Sequence, residues 1–563
     1  MSGKVGNFAL VLHTHLPYML RHGRWPHGTE WLCEAAASCY LPLLDLLERL
    51  RGEEVAVRAT VSVSPVLAEQ LAHPEFRREM EGFLEQRLRA CAEDRANFVR
   101  AGDAAGVGLA DFWKRTFEGA AASFAKGSLL GRFRALADAG AIELITCGAT
   151  HGYLPLLLRD ESVELQVAQA VRTHARHFGK APRGIWLPEC AYRPRYAWTP
   201  PAGAGPPRPA RVRLGVEEVL AKHALGFFFA DSHLVAAGEP LAVYRDFFPT
   251  LGRLRGVEER FPSPRRARSP YRPYFAASRG GGGRAAVLVR DPRTTLQVWS
   301  REHGYPGDGA YLEFHKRHFP GGHRYWRVTS PRTDLGAKEP YSPARARERA
   351  EEHARHFVWL VGEVLSGAKG EISSPPLLVS PYDTELFGHW WFEGPLFLEH
   401  VFRHLADSGV EAVTASRALE ESPPAEVVAL SEGSWGEGGD HRVWLNADTR
   451  WIWDRIYDAE DELASLAGLA AGPARDLVQL AGRELLVLQA SDWPFLVTTG
   501  SARDYAERRF SVHYADFKRL ADLARRAAAG ERLSPVDATF VEAVEGRDDL
   551  FRDLDLAPYL SPR

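Results

Sequence analysis

Two acidic residues occupy matching local settings far apart in the chain. Glu189 closes the segment Gly184-Ile185-Trp186-Leu187-Pro188-Glu189-Cys190, and Asp383 closes Val379-Ser380-Pro381-Tyr382-Asp383. Each lies just past an apolar run that reads as a buried strand. A carboxylate there must face a cleft or a partner, because burying a lone charge is costly. A pair of cleft carboxylates is the minimum equipment for most glycosidic bond cleavage. One attacks or activates, and the other, with a raised pKa, protonates the departing oxygen. On spacing alone Glu385, in Asp383-Thr384-Glu385, competes for the acid role. A single carboxylate after a strand is more often a salt-bridge partner; the matched pair points to catalysis.

Other strand-end residues could complete such a site. His13-Thr14-His15 follows the first apolar run, and residues two apart in a strand share a face, so both imidazoles can point one way. They could bind a metal or hydrogen-bond a substrate hydroxyl. Substrate contact is preferred, because no HExxH segment or acidic cluster supplies further ligands; a structural histidine ranks third. His151 stands between Gly148 and Gly152, where a glycine lets backbone approach a ligand, although a simple turn explains the piece equally well. Arg290, just before Asp291-Pro292, could clamp a carboxylate or a sugar hydroxyl. Ser491-Asp492-Trp493-Pro494 interrupts a helical pattern, and its plain reading is a helix end capped by Ser491 or Asp492. Fifteen tryptophans, many in Gly/Pro/Asp-rich company, suit a cleft that stacks sugar rings, although packing is the better reading of any one of them.

The elements that must position these residues are legible in outline. Short apolar runs recur at 8–12, 55–63, 142–146, 184–187, 227–230, 287–290, 377–380 and 412–414. Helix-compatible segments such as 33–51, 74–89, 163–178 and 345–365 lie between them. This alternation predicts a parallel sheet covered by helices, and seven or eight units favour a closed β/α barrel, whose active site forms at the C-terminal strand ends. No GxGxxG follows an early strand, which weakens a dinucleotide-binding fold. Two stretches break the pattern: the Pro-rich 200–211, read as a loop, and the Arg/Pro-rich 244–284, read as a lid or an insertion. Past about residue 415, apart from the Trp-rich loop at 433–453, the chain reads as helices at 455–470, 473–490, 502–529 and 535–545.

Composition is that of a soluble globular chain: 563 residues, 45% hydrophobic, 25% charged, with a formal net charge of −3. That balance gives no reason to expect nucleic acid or membrane as partners. No signal-peptide pattern or membrane-length apolar stretch is present, and five cysteines without a CxxC pair suit free thiols in a cytoplasmic protein.

His13-Thr14-His15, Trp186-Leu187-Pro188-Glu189 and the run from Ser380 to Trp390 resemble the ordered motifs of glycoside hydrolase family 57. With Trp25-Pro26, Glu30-Trp31 and Ser491-Asp492-Trp493-Pro494 added, the sequence is most similar to the α-1,4-glucan branching group of that family. The resemblance spans about 13–517. It implies a distorted (β/α)7 barrel, assigned here to 1–415 with insertions at about 191–215 and 244–284, and a C-terminal α-helical domain at 416–563 that contributes the Trp-rich loop. It also implies a retaining double displacement on an α-glucan; no cofactor or metal is expected. In it Glu189 matches the nucleophile and Asp383 the acid/base, which demotes Glu385. Implied substrate contacts are His13, His15, His151, Arg290, Gly307, Trp435 and Asp492, with Trp25, Trp31, Trp299 and Trp444 as further cleft aromatics. A loop tyrosine favours transfer over hydrolysis in this group; Tyr271 is the choice here and Tyr274 the next. Hydrolysis or 4-α-glucanotransfer on the same site is the nearest alternative, and a metal-dependent carbohydrate deacylase a more distant one.

Overall fold

The computed structural model describes residues 4–204, 207–235, 268–300, 304–370, 372, 374–470 and 472–560. Seven parallel strands form its centre: β1 (Gly6–Thr14), β2 (Ala59–Val63), β3 (Ile142–Ile145), β4 (Gly184–Ile185), β5 (Phe227–Ala230), β6 (Ala285–Val289) and β7 (Leu377–Asp383). They fall into two hydrogen-bonded groups, β7-β1-β2-β3 and β4-β5-β6. Single parallel bridges join the groups, Thr146 to Ile185 on one side and Arg290 to Val379 on the other. The ring therefore closes as a seven-stranded barrel. All nine residues of β1 are buried. Strands covered on both faces carry continuous apolar runs instead of alternation, which is why the runs stand out in the sequence.

The first seven apolar runs are these seven strands. The eighth differs: its strand is Val410–Ala412, which pairs beside the start of β1 and lies outside the ring. Between β2 and β3 the chain is more helical than the apolar pattern suggests, with helices at Pro65–Ala72, Pro74–Ala101, Ala104–Ala125 and Leu129–Asp138. Of the long pair, Pro74–Ala101 is strongly charged and Ala104–Ala125 is rich in alanine and glycine. The Pro-rich stretch is spanned by an antiparallel hairpin of Tyr196–Trp198 with Arg211–Arg213, so Arg211 belongs to a strand. Of the Arg/Pro-rich stretch, 244–267 lie outside the described residues. Its later part includes the strand Tyr274–Ala276, antiparallel to β6, with Tyr274 fully buried.

Helices Arg450–Leu466, Arg475–Leu488 and Arg503–Ala528 pack together after the barrel. Two backbone links carry this region to the strand ends. The Tyr153 amide donates to Gln489 O and the Ser491 amide to His151 O; the Tyr192 amide donates to Gly433 O and the Trp435 amide to Glu189 O. Ser491, Asp492 and Trp435 are thereby delivered beside residues that follow β3 and β4.

Candidate active site

Glu189 sits on a short turn after β4 in a left-handed backbone conformation, φ 61°. His151 and Cys190 share that region at 60° and 48°. Non-glycine residues held there cost about 1–3 kcal/mol each, and such strain gathers at functional sites. The Glu189 carboxylate accepts two hydrogen bonds, from Trp435 Nε1 at 2.8 Å and from Ser491 Oγ at 2.9 Å. Burial pushes its pKa up to about 7, opposed by these two donors, which favour the ionised form.

Asp383 ends β7 and stands in register with His13 of β1. No hydrogen bond reaches its carboxylate among the described residues. Burial, then the charges of Glu385 and Glu189, hold its pKa well above the usual carboxylate range, and Arg290 only partly offsets them. The two carboxyl groups therefore differ in kind. Glu189 has two donors that stabilise a negative charge, whereas Asp383 has none among the described residues and two acidic neighbours that favour its protonated form. Divergent environments of this sort separate a nucleophile from a general acid.

The histidines form an oriented chain behind Glu189. The Ser491 hydroxyl spends its one hydrogen on Glu189, so at 2.7 Å it must accept from His151 Nδ1–H. Burial and the neighbouring imidazoles hold His151 and His13 well below the usual histidine pKa, so both rings are neutral. His151 Nε2 then lacks a hydrogen and accepts from His13 Nε2–H at 2.9 Å. Trp186 stacks on His13 with centroids 5.0 Å apart and planes 14° from parallel, which locks the ring. His15 points to Asp492, its Nε2 lying 3.2 Å from a carboxylate oxygen, while its Nδ1 meets Ser64 Oγ at 2.8 Å. The atoms of His15, His151 and Asp492 lie close enough to surround a cation. Both nitrogens of His151 are already engaged, however, so hydrogen bonding suits the set better than coordination.

The other expected residues divide. Arg290 is buried and grips Asp231 at 2.9 Å while lying 5.2 Å over the Trp435 ring. Glu385 accepts from Tyr40 OH at 2.6 Å and from the His15 amide at 3.2 Å, which ties it to holding His15; burial raises its pKa to about 7. Trp444 is fully buried, stacked on Tyr153, so it props the site from behind instead of offering a free platform. Trp299 is buried near Trp390, and Gly307 ends a short turn, Tyr305–Gly307. Trp25 is 77% exposed and Trp31 packs on His27; neither has a ring contact with the residues around the carboxylates. Tyr271 is anchored: its hydroxyl donates to Asp291 at 3.1 Å and its carbonyl accepts from the Leu377 amide at 2.8 Å. The glycines beside His151 serve packing, since a Cβ on Gly152 would meet the Gln166 side chain at 2.6 Å and one on Gly148 would meet Pro188 at 3.0 Å.

Sequence reasoning missed Ser491 and Asp231. Ser491 makes no cap bond to its helix, and its hydroxyl is used on Glu189. Asp231 directly follows the run at 227–230, so the rule that singled out Glu189 also reaches it. Ser491→Ala removes a donor that favours the Glu189 carboxylate. The pKa of Glu189 should then rise, and the acid limb of the pH–rate profile should move about one unit toward higher pH. A profile superimposable on the wild type would mean that the Ser491 contact does not tune Glu189.

A parallel barrel with two unlike carboxylates at its strand ends is an arrangement suited to glycosidic bond cleavage. The chain belongs to glycosyl hydrolase family 57, whose family model matches residues 9–431. A second model, the C-terminal region of 1,4-alpha-glucan branching enzyme, matches residues 455–559. The chain is 42% identical to a 1,4-alpha-glucan branching enzyme of Thermococcus kodakarensis, over 99% of its own length and 79% of the relative's. A crystal structure of a branching enzyme from Pyrococcus horikoshii superposes with a TM-score of 0.87 at 40% identity, covering 99% of this chain and 97% of the other. The alpha-amylase AmyC of Thermotoga maritima follows at 0.79 and 27% identity, with 99% of each chain covered. No helix among the described residues is long and apolar enough to cross a membrane.

Proposed function

We propose that the protein is a 1,4-α-glucan branching enzyme working by retaining double displacement. The observation that carries the chemistry is the contrast between Glu189, held by hydrogen bonds from Trp435 and Ser491, and Asp383, which accepts none among the described residues and whose burial and acidic neighbours favour its protonated form. Glu189 attacks the anomeric carbon of the donor glucan. The C1–O4 bond breaks as Asp383 gives its proton to O4, leaving a covalent glycosyl-enzyme. Asp383, now a base, takes the proton of an acceptor 6-hydroxyl. The new C1–O6 bond forms and Glu189 is released, so bonds and protons balance. The substrate partner is an α-glucan, with Arg290 positioning the site through Asp231 and Trp435. The 42% identity to a named branching enzyme supports the choice of acceptor.

Hydrolysis is the second reading, favoured by the likeness to an alpha-amylase over 99% of both chains. Amylose incubated with the protein separates the two. Branching yields new short chains after debranching digestion with few new reducing ends, and hydrolysis yields reducing ends without branches. A product without debranching-sensitive linkages would overturn the proposal.

A further inference from the structure

Away from the barrel mouth, two helices of the outer layer carry a cluster with no part in the reaction above. His400 and His404 lie on the helix Gly394–Leu405, and Glu351 lies on the helix Pro343–Ala368 packed against it. Residues four apart on a helix share a face one above the other, so the two imidazoles project together. Their rings are near-parallel, 24° apart, with centroids 6.3 Å from each other. The Nε2 atoms of both rings are buried and make no hydrogen bond. A buried ring nitrogen without a partner is unfavourable, and two side by side are unusual in a surface layer. One nitrogen of each ring and one Glu351 oxygen all lie within 4.8 Å of one another.

We infer that His400, His404 and Glu351 form a site for a divalent zinc-type cation that cross-links the two helices. Two imidazole nitrogens and one carboxylate oxygen are the borderline donor set that suits zinc, and an open site keeps water in the fourth position. A zinc ion bonded at about 2.0–2.1 Å would draw the three donors closer together, a movement within the reach of partly exposed side chains. The charged and titratable groups facing His400 are Glu351, Glu399, His404 and Arg403. Arg355 holds Glu351 at 3.0 Å in an exposed pair, a contact weak enough for a metal to displace.

The test compares zinc content after equilibrium dialysis in the wild type, His400→Gln/His404→Gln and Glu351→Gln. Visible absorption of the cobalt(II)-loaded proteins reports tetrahedral coordination. The wild type is expected to hold one more equivalent of zinc than the double variant, and Glu351→Gln to bind it at least about tenfold more weakly. Zinc should raise the melting temperature of the wild type by about 2–4 °C and leave that of the double variant unchanged. Glutamine keeps helix propensity, so the metal-free double variant should melt with the wild type and branch amylose at the same rate. Equal zinc content and equal cobalt spectra in wild type and double variant would overturn the proposal, as would a wild type that binds no zinc. Both readouts are independent of glucan chemistry, so their failure is distinct from failure of the branching assignment.

Discussion

Glu189→Gly is expected to lower branching activity by roughly 10⁴-fold or more, because in the proposed mechanism it removes the nucleophile itself. Glycine is the informative replacement. It accepts the left-handed backbone at this position without strain and leaves space where the carboxylate stood. Added azide can then attack the anomeric carbon from the vacated side. The product should be a β-glycosyl azide, inverted relative to the α-linked substrate, and rescue should grow with azide concentration. The variant is also expected to be more stable than the wild type near and above pH 7. A carboxyl whose folded pKa is raised to about 7 opposes folding once pH passes its unfolded value near 4.5, and most strongly above the folded value. Removing that cost and the backbone strain should raise the melting temperature while activity disappears, in keeping with the usual conflict between stability and a working site. Full activity in the glycine variant, or an α-azide product, would show that Glu189 is not the nucleophile.

Asp383→Ala should fail differently. Loss of the acid and base lowers activity on amylose by about 10²–10⁴-fold. A donor with a good leaving group needs no protonation, so its first step should recover. The glycosyl-enzyme then lacks a base to activate the acceptor and should accumulate as a burst. Azide needs no base and attacks this intermediate, giving an α-glycosyl azide with net retention. The two variants thus give azides of opposite configuration, a readout that no merely structural role could produce. In the wild type the pair should give a bell-shaped profile. Activity rises as one carboxyl ionises and falls as the other loses its proton, both raised by burial, with the apparent values belonging to the coupled pair.

The barrel was legible because its strands are buried on both faces and so write themselves as apolar runs. Strand-end position then singled out Glu189, Asp383, His13, His15 and Arg290 without any coordinates. Contacts made across long sequence separations were not legible. Nothing near Ser491 indicates that its hydroxyl meets a carboxylate 302 residues earlier, since a serine at a helix start has an adequate local explanation. Tryptophan composition was a blunt guide for the same reason. It does not distinguish Trp435, whose indole N–H holds Glu189, from Trp444, which packs out of reach behind Tyr153. Two of the four helices between β2 and β3 were not read from the sequence: Ala104–Ala125 is rich in alanine and glycine, while Leu129–Asp138 is short but carries a buried face of Leu129, Leu130, Phe133 and Leu136 that its spacing could have shown.

The two single-bridge seams of the barrel have a mechanical meaning. Asp383 rides on the group β7-β1-β2-β3, and Glu189 rides on the group β4-β5-β6. Each strand group thus carries one of the two proposed reacting groups, and the strand pairing between the groups consists, among the described residues, of the Thr146–Ile185 and Arg290–Val379 bridges. The gap between attack and protonation is accordingly a property of two joints and of the Ser491–His151 strut that spans one of them. Substitutions at those joints would act as a calliper adjustment, changing the reach between the jaws while leaving the chemistry of each jaw intact.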